Sequence, residues 1–388
     1  MVLEKFKDLL YPCLPCGACA GRGPDNPFAE RPAPSHRCPT LERYHFASYS
    51  ARGKLYLTRL MYYENLPKDK LVNTMFKDPD CGACESSCSI PFTDIWQAAR
   101  EEIVISGLQP RPIKLMETRL TEKHNVFGAL SEVRNKWSEG LKIPEESDIS
   151  YFAGCYASYR QPEIARAVMK ILKIAGINAT ILKDEWCCGF PARRAGSTKI
   201  AKSMAQHNLD LLTAKGTKRV IFSCAECYRS FKKDYPEILG ANLPFEVMHL
   251  SQFVKKLIEE KKISFNKELK ARVTYHDPCH LGRHLKIYDE PREVIKAIPG
   301  IKFKEMEANR KWAWCCGAGE PAYSVSTEFA RWVAKERLLQ AKKVADELIT
   351  ACPRCIENLR SSAVEHKLEM ATYDLSVFIL NALTGVHA

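Results

Sequence analysis

The chain has 388 residues, 46% hydrophobic and 27% charged, a globular composition with room for two or three domains, which excludes extended disorder. No run approaches the roughly 18 apolar residues of a membrane span, and Met1 to Leu10, with Glu4, Lys5, Lys7 and Asp8, lacks the apolar centre of a secretory signal; the expectation is a cytoplasmic protein that meets a membrane only through a partner, with 17 cysteines that are not a disulfide framework. The formal charge of +12 invites a nucleic-acid partner, but Lys and Arg are scattered and no stacked-aromatic platform or recognition motif accompanies them, so that class is set aside.

Residues 1–108 hold seven cysteines: Cys13-x2-Cys16-x2-Cys19, then Cys38-Pro39, then Cys81-x2-Cys84-x3-Cys88. Two-cluster ferredoxins use C-x2-C-x2-C-x3-C-P twice, and the fourth cysteine of each run ligates the other cluster. That crossing rule assigns Cys13, Cys16, Cys19 and Cys88 to one cubane and Cys38, Cys81 and Cys84 to another. The second run has Asp78 where its first cysteine belongs. Three completions stay open: Asp78 as a carboxylate ligand, a three-iron cluster, or a histidine such as His36 or His45. In the first run 18 residues separate Cys19 from Cys38, and the insert Gly21 to Arg37 contains four prolines, which reads as an ordered surface loop or a partner contact. A helix is expected from about Arg52, and another from Asp94 to about Ile105 capped by Thr93, with Trp96 in the core. Gly107 to Pro112 breaks the helical pattern and marks a boundary, after which 109–147 reads as a polar, partly helical connection.

From Ile149 short apolar strands alternate with amphipathic helices, the pattern of an α/β fold with parallel strands. Strands are expected at Ile149 to Ala153, Asn178 to Leu182, Arg219 to Ser223, Phe245 to His249, Arg272 to His276, Ile301 to Glu305 and Glu347 to Thr350. Helices are expected at Pro162 to Ile174 and Thr198 to Ala214. Two halves emerge, 148–264 and 265–388, because Trp186-Cys187-Cys188-Gly189 returns as Trp314-Cys315-Cys316-Gly317. Cys155 precedes the first pair and Cys279 the second. After each glycine, 34 residues lead to a C-x2-C: Cys224 and Cys227, then Cys352 and Cys355. Even the end repeats, Leu250-Ser251-x-Phe253 matching Leu375-Ser376-x-Phe378.

These thiols fall at strand ends, where α/β sheets place ligands. Five per half exceed the four of a structural zinc, and neighbouring side chains on extended backbone point to opposite sides, so each adjacent pair suits different metals of a multinuclear cluster. Gly189 and Gly317 let the backbone turn sharply and approach such a cluster. Cys224 and Cys352 sit at helix starts, whose free N–H groups favour negative sulfur. His276 and His280 are candidates to protonate a thiolate or hydrogen-bond sulfur, with a core role as the alternative. Arg193 and Arg194 either hold an anionic substrate or are solvated surface charges. With all 17 thiols ionised on four iron–sulfur clusters carrying roughly +2 each, the net charge falls to about +3. No G-x-G-x-x-G follows a strand, so neither flavin nor NAD is expected in this chain.

On these residues the chain resembles the CCG-domain iron–sulfur family. The doubled Cys…Cys-Cys-Gly…Cys-x2-Cys is similar to the catalytic subunit of heterodisulfide reductases, and Tyr275-His276-Asp277-Pro278-Cys279-His280 to its second-half opening. The ferredoxin-like start with Arg52-Gly53-Lys54 resembles the fused, D-type form of that subunit, and also the iron–sulfur subunits of glycolate and glycerol-3-phosphate dehydrogenases. The resemblance implies one noncubane [4Fe-4S] cluster on Cys155, Cys187, Cys188, Cys224 and Cys227 and a second on Cys279, Cys315, Cys316, Cys352 and Cys355, facing it across a pseudo-twofold, besides the two ferredoxin-type [4Fe-4S] clusters. It implies an electron-transfer subunit of an anaerobic complex with flavin- and iron–sulfur-containing partner subunits, like the one that accompanies tungsten-type benzoyl-CoA reductases. The alternatives are a disulfide reductase acting on a small disulfide, and the iron–sulfur subunit of a flavin-linked 2-hydroxyacid dehydrogenase.

Overall fold

In a computed structural model, residues 1–13, 16–20 and 38–386 are described. The insert Gly21 to Arg37 and His36 lie outside them. Two four-stranded, all-parallel sheets form the body. The first comprises β1 (Ile149–Phe152), β2 (Thr180–Ile181), β3 (Arg219–Phe222) and β4 (Glu246–His249), in the order β2-β1-β3-β4. The second repeats it with β5 (Ala271–His276), β6 (Ile301–Phe303), β7 (Glu347–Thr350) and β8 (Ala371–Asp374), in the order β6-β5-β7-β8.

The central strands are apolar because helices cover both faces; Tyr151 pairs with Ile221 and Tyr275 with Ile349, all four fully buried. Edge strands β2 and β6 are shorter than their apolar runs suggested, and β8, Ala-Thr-Tyr-Asp, has too little apolar character to stand out. The helices Pro162–Ile174 and Thr198–Ala214 run as their periodicity predicts. Proline at the first turn starts the former, with Ile164, Val168, Ile171 and Leu172 buried while Glu163, Lys170 and Lys173 face out.

The two halves exchange contacts reciprocally. Helix Pro162–Ile174 of the first packs on Leu375–Thr384 of the second, and Leu250–Glu259 of the first on Asp289–Lys296 of the second. Arg360, on the second-half helix Pro353–Glu365, pairs with Glu163 at 2.9 Å, and Lys255 pairs with Glu293 at 2.6 Å across the second of these contacts. The two sets of strand ends are thereby turned toward each other.

The N-terminal region is helical, with Ala51–Tyr63 capped by Ser50, whose hydroxyl accepts from Gly53 N–H at 3.1 Å, and Phe92–Ile105. Thr93 does not cap the second helix: its N–H and hydroxyl both donate to Glu85. Trp96 is buried, as its apolar neighbours predict. Between 107 and 148 runs the helix Arg111–Lys123 followed by short turns. Among the described residues no helix is long and apolar enough to cross a membrane.

Candidate metal centre

The doubled topology delivers each cysteine by the same route. Cys155 lies three residues beyond β1 and Cys279 three beyond β5, while Cys224 and Cys352, two beyond β3 and β7, are N-caps of the helices Ala225–Arg229 and Pro353–Glu365. Each set therefore straddles the two central strands, at the switch point where open α/β sheets bind ligands. The Cys-Cys pairs enter from the loops after β2 and β6. Trp186 is clamped between the rings of His124 and His207, at 3.4 and 3.7 Å, and Cys187 N–H donates to His124 O at 2.8 Å.

All ten thiols are buried. In the first half Cys155 touches Cys187, Cys188 touches Cys227, and Cys227 touches Cys224. In the second, Cys315 meets Cys279 while Cys316 lies 3.1 Å from Cys355, which meets Cys352. The adjacent cysteines also touch each other, Cys187 to Cys188 and Cys315 to Cys316, so their thiols do not point to opposite sides as extended backbone would have them. Two further contacts join the sets: Cys224 to Cys352 between the halves, and Cys81 of the N-terminal region to Cys315.

Gly189 and Gly317 turn sharply, at φ of 78° and 81°. Gly317 N–H donates to Cys315 sulfur at 3.2 Å. A Cβ at Gly317 would strike the backbone of Ala330 at 2.3 Å, so the tightest approach at this turn is to a helix. The glycine against the thiols is Gly154, where a Cβ would come within 2.9 Å of the Cys227 sulfur.

Several charged groups here were not singled out from the sequence. Arg134 Nη1 points at Cys155 sulfur from 3.9 Å and its charge is paired with Glu185. Glu226 and Arg354 occupy the same place in the two C-x2-C loops and pair across the halves at 3.4 Å, with Glu320 completing the group at 2.8 Å from Arg354. Aligning the two loops exposes their opposite signs.

His276 is buried and its Nδ1 accepts from Arg337 Nε at 3.0 Å, so a neutral ring carries its proton on Nε2. A ring nitrogen lies within 4.8 Å of the Cys316 and Cys355 sulfurs, and burial holds the ring below its ordinary pKa. His280 packs edge-on against Phe190 and stacks on His284, with neither nitrogen hydrogen-bonded among the described residues. Arg193 and Arg194 are neither solvated nor open to a substrate. Both are buried, Arg193 on Glu237 at 2.7 Å, and Arg194 on Asp234 at 2.8 Å and Asp80 at 3.4 Å.

In the N-terminal region Cys38, Cys81 and Cys84 line one cavity with Lys54 and Asp78. Asp78 is buried rather than an exposed turn residue; one oxygen receives Lys54 and the other the Asp80 N–H at 2.8 Å. Cys88 faces Cys13 and Cys19, and Cys16 is exposed. His45 is also exposed.

The donor chemistry fits iron–sulfur clusters. Hydrogen bonds from Cys187 and Cys227 lower Cys188 to about 5, while contact with Cys187 and burial push Cys155 up. Mutual contact and burial likewise push Cys187, Cys224 and Cys227 up, so sulfurs so packed resist joint ionisation. Ionising all of them takes positive charge among them, which the iron of a multinuclear cluster supplies.

The cysteine-rich CCG domain model matches residues 149–232 and 273–360. The chain is 35% identical to the D subunit of dihydromethanophenazine:CoB–CoM heterodisulfide reductase from Methanosarcina acetivorans, over 96% of this chain and 93% of that protein. It is 34% identical to the same subunit of Methanosarcina mazei with the same coverage. A crystal structure of a hypothetical protein from Helicobacter pylori shares the fold, with a TM-score of 0.54 at 15% identity over 86% of this chain and 68% of that one. Two five-thiol sets on doubled parallel sheets, with this identity along nearly the whole length, make the chain a member of the heterodisulfide reductase D-subunit family, an iron–sulfur electron-transfer component of an oxidoreductase.

Proposed function

We propose that the chain holds four clusters and relays electrons for a multi-subunit complex that includes flavin- and iron–sulfur-containing partners. The observation that carries this reading is the continuity of sulfur, from Cys81 through Cys315, Cys316, Cys355, Cys352 and Cys224 to Cys227, Cys188, Cys187 and Cys155. In it Cys13, Cys16, Cys19 and Cys88 hold one cubane, and Cys38, Cys81 and Cys84 a second with Asp78 at its fourth corner. The two five-cysteine sets hold noncubane [4Fe-4S] clusters. Bound there, these groups supply one-electron storage and transfer. The protein's own part is to exclude water by burying the ten thiols, to present helix-start N–H groups to sulfur, and to aim the His276 imidazole at Cys316.

A second reading, turnover of a small disulfide between the halves, is favoured by one observation. The crevice lined by Cys155, Cys187, Cys188, Cys224 and Cys227 also includes Arg354 of the second half, and shares Val126 and Tyr156 with a cavity of about 330 Å³ lined by Arg119, Arg160, Glu320 and Glu357. A disulfide reaching the crevice by that way needs two protons on its product thiolates, and the Glu226–Arg354–Glu320 group stands beside the path.

Anaerobically purified protein should carry about 16 iron and 16 acid-labile sulfide per chain. Fewer than about half of these would sink the four-cluster reading. With a reduced viologen dye, cleavage of a small disulfide supports the second reading, and its absence with partners present removes it. Co-purification separates a benzoyl-CoA reductase complex from a flavoprotein that oxidises a 2-hydroxyacid.

A further inference from the structure

Buried guanidinium groups stand near both thiol sets; in the first half Arg229, two residues beyond Cys227 and over the Phe190 ring, has no hydrogen-bond partner among the described residues. At the first set Arg134 approaches Cys155 with its charge neutralised by Glu185. At the second, Arg283 is wedged between the N-terminal region and the second half, with 6% of its surface exposed. Its Nε donates to the Cys81 carbonyl at 2.7 Å and its Nη1 to the Ala313 carbonyl at 2.5 Å, while Nη2 has no hydrogen-bond partner among the described residues. No carboxylate pairs with it among them. The groups of opposite charge that face it are the thiols of Cys81, Cys279 and Cys315 and the Tyr288 hydroxyl. Behind the same set a second guanidinium, Arg337, spends its hydrogen bonds on His276, Ala308 O and Gln340, again without a carboxylate.

A buried guanidinium without a counter-charge is costly, of the order of several kcal/mol. The missing negative charge is found if the surrounding thiols are ionised around a cluster, which gains a further electron more readily beside an uncompensated cation. We infer that Arg283 is a positioning cation that raises the reduction potentials of the second-half thiol set and of the Cys81 site to which it is hydrogen-bonded. This rests on the cluster assignments proposed above.

The test uses the anaerobically purified, fully loaded chain and redox titration followed by electron paramagnetic resonance. Cys279→Ser identifies the signal of the second-half set by its loss. Arg283→Gln, which keeps donors for both carbonyls but no charge, should lower the reduced-to-oxidised ratio of that signal at a fixed potential about tenfold, a shift of about 59 mV for one electron. The first-half signal should stay in place. Arg283→Lys, which keeps the charge, should titrate close to the natural protein. An unshifted second-half signal in a fully loaded Gln variant, or equal shifts in Lys and Gln, would overturn the inference. If the Gln variant loads poorly, the Lys variant decides, since a wild-type potential supports the charge argument and a shifted one defeats it. Wild-type protein short of four clusters would instead defeat the cluster reading on which this rests.

Discussion

Asp78 is the residue whose setting changed most between sequence and structure. In the sequence it stands in Asp78-Pro79-Asp80, ordinary turn chemistry, at the place of an absent cysteine. In the fold it is buried beside Cys38, Cys81 and Cys84, and Lys54 of the Arg52-Gly53-Lys54 triplet is buried against it. Burial opposes its charge, and the Lys54 and Arg100 charges with two hydrogen bonds overcome that and hold its carboxyl below the usual range. Removing one partner of such a pair leaves an uncompensated buried charge. Lys54→Met is therefore expected to cost about 3–5 kcal/mol, read as a fall in the denaturation midpoint. At the same cavity, Asp78→Ala should convert the second N-terminal cluster into a three-iron form detectable by its paramagnetic resonance. A spectrum unchanged from the natural protein would remove Asp78 from the ligand set.

At the scale of elements, the strand-end placement of the cysteines was legible because the thiol spacing repeats; the four central strands were legible because parallel strands covered on both faces are apolar, and the edge strands β2, β4 and β6 by their short apolar runs. β8 was not, although the match of Leu375-Ser376 to Leu250-Ser251 marked its end. Those matched positions are helix starts in both halves, capped by His249 in one and Asp374 in the other. Burial raises Asp374 to about 7, against lowering hydrogen bonds from Ser376. A carboxyl raised on folding favours the protonated native state, so its contribution is complete below about pH 4 and is lost as pH rises through 7, at most about 4 kcal/mol. Asp374→Asn, which keeps the acceptor for Ser376 N–H, should be relatively more stable at pH 8 than at pH 5, compared with the natural chain in denaturant melts. An identical pH profile would refute this.

The whole molecule is joined by contacts no local pattern announces. Asp80 receives Arg100 at 3.2 Å from its own region and Arg194 at 3.4 Å from the first half, and Arg194 continues to Asp234. His284 of the second half reaches the Asp80 carbonyl at 3.2 Å. One aspartate thus sits where three parts of the chain meet. Pairs 20 to 200 residues apart carry no periodicity, which is why Arg193 and Arg194 read as surface or substrate groups in the sequence. Asp80→Asn leaves buried Arg100 without a paired carboxylate among the described residues and Arg194 with Asp234 alone, and should cost about 3–5 kcal/mol, with limited proteolysis releasing the N-terminal region first. Cleavage no faster than in the natural chain would show that other contacts hold the region.

Exposure of the cysteines is graded from the N-terminal region inward. Cys16 is exposed and Cys13, Cys84 and Cys88 are half-buried, whereas the ten thiols of the two sheets are shut away. Oxygen and chelators reach sulfur from solvent, so damage has a direction: the outermost ligands fail first and the inner sets outlast them. On the proposed cluster assignment, a sample handled in air would lose its connection to partner proteins before its inner metal, and would look dead in a coupled assay while still holding iron.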